Sequence, residues 1–307
     1  MTFAVVFPGQ GSQAVGMQSA LAGKYDEVRQ TYAEAGEILD FDLWDVVQNG
    51  PEARLNDTVV TQPAMLAAGF AAWRVWRMAG GTTPAHMAGH SLGEYTALVC
   101  AGSLSFAAAL RLVRRRAELM QAAIPSGEGA MAAILGLDDD AVVTLCREAA
   151  QGDVVEAVNF NSPGQVVIAG HRAAVERAAE GAKAAGAKRA MLLNVSVPSH
   201  CALMKPAASA LSQTLADTPF GNPGIPVISN VDVGPYESAE QIRTGLERQL
   251  YSPVRWTDTI RSIVANGASA IVECGPGKVL AGLTRRIDRS VEAIAFDAPD
   301  SIDAAIR

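Results

Sequence analysis

The chain has 307 residues, of which 49% are hydrophobic and 19% are charged, so it can bury one large core with a smaller companion and is unlike a disordered protein. The formal net charge of −7 excludes a general attraction to nucleic acid or to an anionic membrane surface. No stretch reaches the ~18 apolar residues of a membrane-spanning helix, and the four cysteines lack the Cys-x-x-Cys spacing of a metal site, which makes buried thiols the expectation.

The N-terminal part predicts a buried strand followed by a tight loop. Phe3–Phe7 is a short apolar run with β-branched residues, and Pro8-Gly9 ends it. The segment lacks the basic stretch and the cleavage site of a secretory signal, so we expect a cytoplasmic protein. Further along, His86–Gly89 is predicted to end a second strand, and helices are predicted over residues 91–101 and 104–124.

The middle of the chain predicts a small domain inserted into a larger one. Its elements follow in the order β-α-β-β-α-β, which is that of a ferredoxin-like unit. We therefore predict an α/β fold in which residues 1–126 and 198–307 form an α/β-hydrolase-like large domain with a parallel-sheet core, and residues 127–197 form the ferredoxin-like small domain. The predicted strands are 130–137, 154–160, 165–169, 189–197, 225–229 and 270–272, and the predicted helices are 138–150, 171–185, 238–249 and 256–266.

A candidate nucleophile lies where a predicted strand changes to a predicted helix. The segment Gly89-His90-Ser91-Leu92-Gly93 fits the Gly-x-Ser-x-Gly pattern, which raises a serine on a sharp turn between small residues. Ser91 would also lie at a helix N-terminus, where free N–H groups and the helix dipole favour an oxyanion. The alternative is a chance turn of glycine and serine, and the strand-turn-helix context favours the nucleophile.

The base for this serine can be approached by elimination, because the chain has only four histidines. His90 adjoins Ser91 across the sharp turn and is predicted to point away from it. His86 lies near a strand start, and His171 opens a surface helix. His200 remains as the predicted base, with a structural histidine as the alternative. No acidic third member is evident, so a carbonyl group is expected to orient His200 in a Ser–His dyad.

The loop after the first strand, Phe7-Pro8-Gly9-Gln10-Gly11-Ser12-Gln13, is rich in glycine but lacks the spacing of a dinucleotide-binding fingerprint. Such a loop can turn the backbone N–H of Gln10 toward a site at the end of the strand. Together with the N–H of Leu92 it would form an oxyanion hole. A tight turn without this role is the alternative.

The helix predicted over residues 104–124 carries an arginine on its apolar side. At ~100° per residue, Arg116 lies near the middle of the apolar face, between Leu112 and Leu119. A guanidinium is rarely buried without a partner. Either a distant acid pairs with Arg116, or the carboxylate of a ligand does, for which the planar fork is well suited.

In chain order, the motifs closely resemble those of the malonyl-CoA:acyl carrier protein transacylases of type II fatty acid synthesis. They are also similar to the acyltransferase domains of polyketide synthases. The matching segments are Phe7-Pro8-Gly9-Gln10-Gly11-Ser12-Gln13, Thr61-Gln62-Pro63-Ala64, Gly89-His90-Ser91-Leu92-Gly93-Glu94-Tyr95, Arg116 before Met120-Gln121, Asn159-Phe160-Asn161-Ser162-Pro163-Gly164-Gln165, Val197-Pro198-Ser199-His200, Gln249 before Pro253-Val254-Arg255-Trp256, and Glu273-Cys274-Gly275-Pro276-Gly277.

The resemblance implies a role for each candidate. Ser91 would be the nucleophile and His200 the base, and the main-chain carbonyl of Gln249 would orient His200. Arg116 would bind the malonyl carboxylate, and the two oxyanion donors would be those named above. Leucine after the serine is similar to the malonyl type of pattern rather than the methylmalonyl type.

The resemblance also implies a ping-pong transfer of malonyl from malonyl-CoA, through the serine, to the phosphopantetheine thiol of acyl carrier protein. It implies no metal and no redox cofactor, no nucleic acid and no membrane, and a monomer is the simplest expectation. The carrier is acidic in this family, so docking needs a local basic patch. The candidates for that patch are Arg114, Arg115, Lys183, Lys188 and Arg189.

Three other functions remain open from the residues alone. A serine esterase or thioesterase of α/β-hydrolase type shares Gly-x-Ser-x-Gly, but it would use a triad acid and has no need of an inward arginine. A carrier-protein-binding module that has lost its chemistry would not keep Ser91, His200 and Arg116. The acyltransferase subunit of malonate decarboxylase uses related chemistry with a different acceptor.

Overall fold

The computed structural model describes residues 2–195 and 197–301, which form a mixed α/β fold with two sheets. The core sheet is parallel and has the order β7-β2-β1-β8-β9, and a separate antiparallel sheet has the order β4-β5-β3-β6. The strands are β1 Phe3–Phe7, β2 His86–Gly89, β3 Gly129–Leu135, β4 Val155–Ser162, β5 Gln165–His171, β6 Arg189–Leu192, β7 Val227–Ile228, β8 Ala270–Cys274 and β9 Glu292–Phe296.

Helices cover both faces of the parallel sheet, as parallel strands require. None of the helices in the described ranges is long and apolar enough to cross a membrane. The helices are α1 Ser19–Ala22, α2 Asp26–Leu39, α3 Leu43–Asn49, α4 Glu52–Leu55, α5 Thr58–Met78, α6 Gly93–Cys100, α7 Phe106–Ala122, α8 Asp139–Ala150, α9 Arg172–Ala184, α10 Lys205–Asp217, α11 Ala239–Gln249, α12 Trp256–Ala265 and α13 Val279–Ile287.

The central strand β1 connects the two cores of the parallel sheet. Because successive side chains of a strand point to opposite faces, Val5 and Phe7 pack into the core that contains α5, α6 and α7. Ala4 and Val6 point the other way, into the core formed with α12 and α13. Side chains on both faces of β1 are buried. The parallel pairing of β1 with β2 places Phe7 beside Gly89, where the nucleophile turn begins.

The antiparallel sheet is built from the predicted β-α-β-β-α-β order of elements, β3 to β6 with α8 and α9. One face packs against the two helices through Ala132, Ile134 and Ile168. On the opposite face, Met131 and Val167 belong to a different cluster and line the cavity beside the parallel sheet. The second sheet therefore forms a wall of the site.

Two predicted strands were too long, and several elements were not predicted. The strand predicted over residues 189–197 ends at Leu192, because Leu193 and Val195 continue the apolar pattern but line the cavity. The strand predicted over residues 225–229 is only Val227–Ile228. Helices α1 to α5 occupy the segment after the glycine-rich loop, for which the sequence pattern predicted no element.

Candidate active site

The nucleophile turn depends on its two glycines. Ser91 has a φ of 53°, in the left-handed region, between β2 and α6. A Cβ on Gly89 would lie 1.8 Å from the carbonyl carbon of Gly93, and a Cβ on Gly93 would lie 2.1 Å from the carbonyl oxygen of Phe7. No side chain fits at either position, so the Gly-x-Ser-x-Gly pattern is a steric requirement of the turn.

Asn230 clamps the same turn from the end of β7. Its Oδ1 accepts the backbone N–H of Ser91 at 2.8 Å, and its Nδ2 donates to the carbonyl oxygen of Gly89 at 2.7 Å. The side chain is fully buried. The sequence predictions missed Asn230, and its only signal was a polar residue directly after a predicted strand.

The structure brings Ser91, His200 and Gln249 together in one line of hydrogen bonds. Ser91 Oγ lies 2.7 Å from His200 Nε2, and His200 Nδ1 lies 2.7 Å from the main-chain oxygen of Gln249. Gln249 is the last residue of α11, so its carbonyl is among those that a helix end leaves without an intrahelical partner. A carbonyl oxygen can only accept, which places the proton of neutral His200 on Nδ1 and leaves Nε2 to accept from the serine.

The surroundings of His200 keep its imidazole neutral. Burial, followed by the nearby positive charge of Arg116, lowers the pKa of His200 to about 3. The hydrogen bond to the carbonyl of Gln249 acts in the opposite direction and is weaker. At neutral pH the ring is therefore unprotonated and free to take a proton from Ser91.

The other three histidines are engaged elsewhere. His90 Nε2 lies 2.8 Å from Asn161 Oδ1, and its ring packs against Trp256. His171 Nδ1 accepts the backbone N–H of Val154 at 3.0 Å at the start of α9. His86 is the first residue of β2, at the end of the strand far from the turn. Among the four histidines, His200 is the one that the structure places against Ser91.

The two predicted oxyanion donors belong to residues that line the same cavity as the serine. A Cβ on Gly9 would lie 2.3 Å from the carbonyl oxygen of His90, so the glycine-rich loop rests directly on the nucleophile turn. Gln10 and Leu92 both line the cavity together with Ser91. Among residues 2–195 and 197–301, no acceptor takes either backbone N–H. Both donors remain available to an oxygen in the cavity.

Arg116 is buried in α7, with 2% of its surface exposed, and it reaches the same cavity. Its Nη1 donates to Gln62 Oε1 at 2.7 Å, and its Nη2 donates to Gln249 Oε1 at 3.1 Å. Its Nε has no partner within the described part of the chain, and no salt bridge to it is formed there. Neutral amide oxygens hold the guanidinium in place without neutralising it, so its charge is left for an anion in the cavity.

Gln62 is a second residue whose role the sequence predictions missed. Besides accepting from Arg116, it donates to Thr58 Oγ1 at 3.2 Å, and Thr58 donates in turn to Gln10 Oε1 at 3.2 Å. This chain of hydrogen bonds connects the arginine to the glycine-rich loop. Its position in Thr61-Gln62-Pro63-Ala64 was the available signal.

The cavity that these residues surround has a volume of about 230 Å³ and lies between the parallel sheet and the antiparallel sheet. Its polar floor is formed by the serine turn, the base and the arginine. Its walls are mostly apolar and come from the second sheet, from the segment after β6 and from α13. The wall residues include Met131, Val167, Leu193, Val195, Val279, Leu280 and Leu283.

The five candidate docking cations are spread over three elements. Arg114 and Arg115 on α7 both pair with Glu118, at 3.3 and 3.4 Å. Lys183 on α9 pairs with Glu180 at 2.6 Å. Arg189 is the first residue of β6, and Lys188 directly precedes it. Their role in docking stays a prediction.

A serine on a tight turn, a neutral histidine and two open N–H donors form the arrangement of an enzyme that works through an acyl-serine. Residues 4–297 match the family model of the acyl transferase domain. The chain therefore belongs to the acyl transferase family. Within that family it belongs to the malonyl CoA-acyl carrier protein transacylases, as its similarity to members of that group shows.

The chain is 56% identical to the malonyl CoA-acyl carrier protein transacylase of Salmonella typhimurium, over 99% of this chain and 98% of that one. It is 43% identical to the enzyme of Bacillus subtilis, over 99% and 96%. Among solved structures, it is similar to a malonyl-transacylase in complex with its type II PKS acyl-carrier protein, with a TM-score of 0.99, 56% identity and coverage of 100% and 99%. It is also similar to the acyl carrier protein S-malonyltransferase of Vibrio cholerae, with a TM-score of 0.96, 58% identity and 99% of each chain covered.

Proposed function

We propose that the protein transfers the malonyl group of malonyl-CoA to the phosphopantetheine thiol of an acyl carrier protein, through a malonyl ester on Ser91. The observation that carries the proposal is the buried guanidinium of Arg116, which shares one cavity with Ser91 and donates to the amide oxygens of Gln62 and Gln249. A carboxylate at the far end of a short acyl group suits that guanidinium. The relatives described above, which are malonyl CoA-acyl carrier protein transacylases, support the same donor and acceptor.

In the first half-reaction, Ser91 Oγ attacks the thioester carbonyl of malonyl-CoA while its proton passes to His200 Nε2. The carbonyl oxygen becomes an oxyanion and accepts the N–H groups of Gln10 and Leu92. When the tetrahedral intermediate collapses, the carbon–sulfur bond breaks, and the imidazolium gives its proton to the departing CoA sulfur. The malonyl ester of Ser91 and free CoA result.

The second half-reaction repeats these steps in reverse with a different thiol. The phosphopantetheine thiol of the carrier loses its proton to His200 and attacks the ester carbonyl. The Ser91 oxygen then leaves with the proton that His200 returns. The residues around the cavity supply the base and the oxyanion donors, and we propose that no metal or redox cofactor takes part.

We propose that the parallel sheet and its helices form an α/β-hydrolase-like large domain of residues 1–126 and 198–307, with a ferredoxin-like domain of residues 127–197 inserted. The element order from β3 to β6 and the strand order β4-β5-β3-β6 support the inserted unit. The division places the cavity between the two domains.

We also propose a cytoplasmic location and a monomer. All four cysteines are free thiols, and three of them are buried, which suits a reducing compartment. In the cytoplasm the protein would bind malonyl-CoA and the carrier as soluble substrates.

A transferase passes the malonyl group to the carrier thiol, whereas a thioesterase releases it as malonate, and this difference can be measured. The protein is mixed with malonyl-CoA, with and without acyl carrier protein that bears phosphopantetheine, and malonyl-carrier and free malonate are both quantified. We expect malonyl-carrier as the main product, and little malonate in either mixture. Ser91→Ala serves as the control and should form neither product. Malonate released at the same rate with or without carrier would identify a hydrolase instead.

A further inference from the structure

We infer that Glu94 supplies the negative charge that the Ser–His pair lacks, as a positioning residue that acts through Gln249 rather than on the imidazole itself. The inference rests on the proposed function and deepens it. Glu94 lies in the first turn of α6, three residues after the nucleophile, and is fully buried. Its sequence signal was weak, because it is the single charged residue of an otherwise uncharged helix.

Donors surround the carboxylate of Glu94. Oε2 accepts Gln249 Nε2 at 2.7 Å and the backbone N–H of Asn230 at 3.2 Å, and Oε1 accepts the hydroxyl of Tyr236. These three groups satisfy an ionised carboxylate, which can only accept. A protonated Glu94 would have to donate its hydrogen to the Tyr236 hydroxyl, which reverses that bond. The ionised form accepts from all three groups at once, so we assign it to the intact network.

Gln249 connects this carboxylate to the reacting groups. Its main-chain oxygen accepts from His200 Nδ1, and its side-chain Nε2 donates both to Glu94 and to the carbonyl oxygen of Ser91, the latter at 3.0 Å. Its Oε1 accepts from Arg116. Because Arg116 can only donate and ionised Glu94 can only accept, the amide has one possible orientation. One residue thus fixes the base, the serine backbone and the arginine, and Glu94 fixes that residue.

The charge of Glu94 opposes the two positive charges of the site. Arg116 on α7 is permanently positive, and His200 becomes an imidazolium in each half-reaction. The phenols of Tyr95 on α6 and of Tyr236 face the same space and are neutral, since burial raises the pKa of both. Because the Glu94 carboxylate meets the Gln249 amide and not the guanidinium, it lessens the repulsion between Arg116 and the imidazolium while Arg116 keeps its charge for an anion in the cavity.

The protonation of Glu94 provides a readout that a purely structural role would lack. Burial raises the pKa of Glu94 to about 7, against the opposing effects of its hydrogen bonds and of Arg116. The carboxylate is therefore ionised above neutral pH and loses its charge as the pH falls through that value. The pKa of His200, about 3, lies far below. An acid limb of the acylation rate near neutral pH would thus report Glu94 and not the base.

The test measures CoA release in the acylation half-reaction across the neutral range, for wild type and for Glu94→Gln. Glutamine keeps the shape and removes the charge. We expect the wild-type rate to rise with pH through one limb near neutrality, and Glu94→Gln to lack that limb and to acylate about tenfold more slowly above it. Glu118→Gln, on the exposed face of α7, is the control and should keep the wild-type profile. A Glu94→Gln profile with the wild-type limb would overturn the inference.

A second measurement needs no variant and decides the matter where Glu94→Gln does not fold. A malonyl carboxylate on Arg116 offsets its positive charge and raises the pKa of Glu94, whereas an acetyl group adds no charge. Under saturating substrate, the acid limb of wild-type acylation should lie at higher pH for malonyl-CoA than for acetyl-CoA. The same limb for both substrates would contradict the inference while leaving malonyl transfer intact. Absence of any acylation at every pH would instead contradict the proposed function.

Discussion

Replacing His200 with alanine is expected to slow malonyl transfer about 10³-fold, because Ser91 Oγ loses the imidazole that lies 2.7 Å from it and accepts its proton. The backbone of Ser91 would keep its place, since Gly89, Gly93 and Asn230 hold the turn without help from the imidazole. The loss should therefore appear in the rate of acylation rather than in the binding of malonyl-CoA. Rapid measurement of CoA release, together with a binding titration, separates the two.

The matched control for this prediction is His171→Ala, which removes another histidine at the start of α9. We expect this variant to acylate at the wild-type rate, with a small loss of stability because the N–H of Val154 loses its acceptor. Thermal unfolding of both variants shows whether either change acts through the fold. A His200→Ala protein that is folded and acylates within a few-fold of wild type would show that another group is the base.

Replacing Arg116 with alanine is expected to change substrate preference. The variant should lose about 10²-fold in kcat/KM for malonyl-CoA, which corresponds to two charge-assisted hydrogen bonds of about 3 kcal/mol together. Acetyl-CoA has no carboxylate, so its transfer should be spared or improved. The removal of the positive charge should also raise the pKa of His200 and make it a stronger base. The ratio of the two kcat/KM values is the measurement.

Arg115→Ala is the control for this second prediction. Arg115 lies on the same helix, is half-exposed and pairs with Glu118 at 3.4 Å. We expect its ratio of malonyl to acetyl transfer to equal that of wild type. If Arg116→Ala lowers both activities equally, the guanidinium serves to hold Gln62 and Gln249 in place and does not recognise the substrate.

A site residue can be predicted from the sequence more easily when its contacts are close in the chain than when its partners are far away in the chain. Ser91 lies in a local turn whose steric requirement spans five residues, so the motif and the predicted strand and helix beside it were enough to predict it. His200 could be found only because histidine is rare in this chain. The carbonyl of Gln249 carries no residue-type signal, since every residue has one, and the family resemblance alone pointed to it. Glu94 and Asn230 were missed because their partners lie more than 130 residues away in the chain.

The elements of the fold were likewise predicted where the sequence pattern is clear and missed where it is not. The predicted elements with a clear pattern, such as α7 and β3, were found within one or two residues of their observed bounds. Helix α5 was missed because it is buried along most of its length and is apolar on all sides, which leaves no helical period to detect. The strand predicted to continue past Leu192 was wrong because a cavity wall and a strand can share an apolar pattern.

The most direct test of the account is the mass of the protein after brief exposure to malonyl-CoA without carrier. We predict an increase by one malonyl group, located on the peptide that contains Ser91, and its loss when carrier with a free phosphopantetheine thiol is added. Ser91→Ala should stay unmodified. A wild-type protein that stays unmodified, or that carries malonyl on another residue, would contradict the central claim.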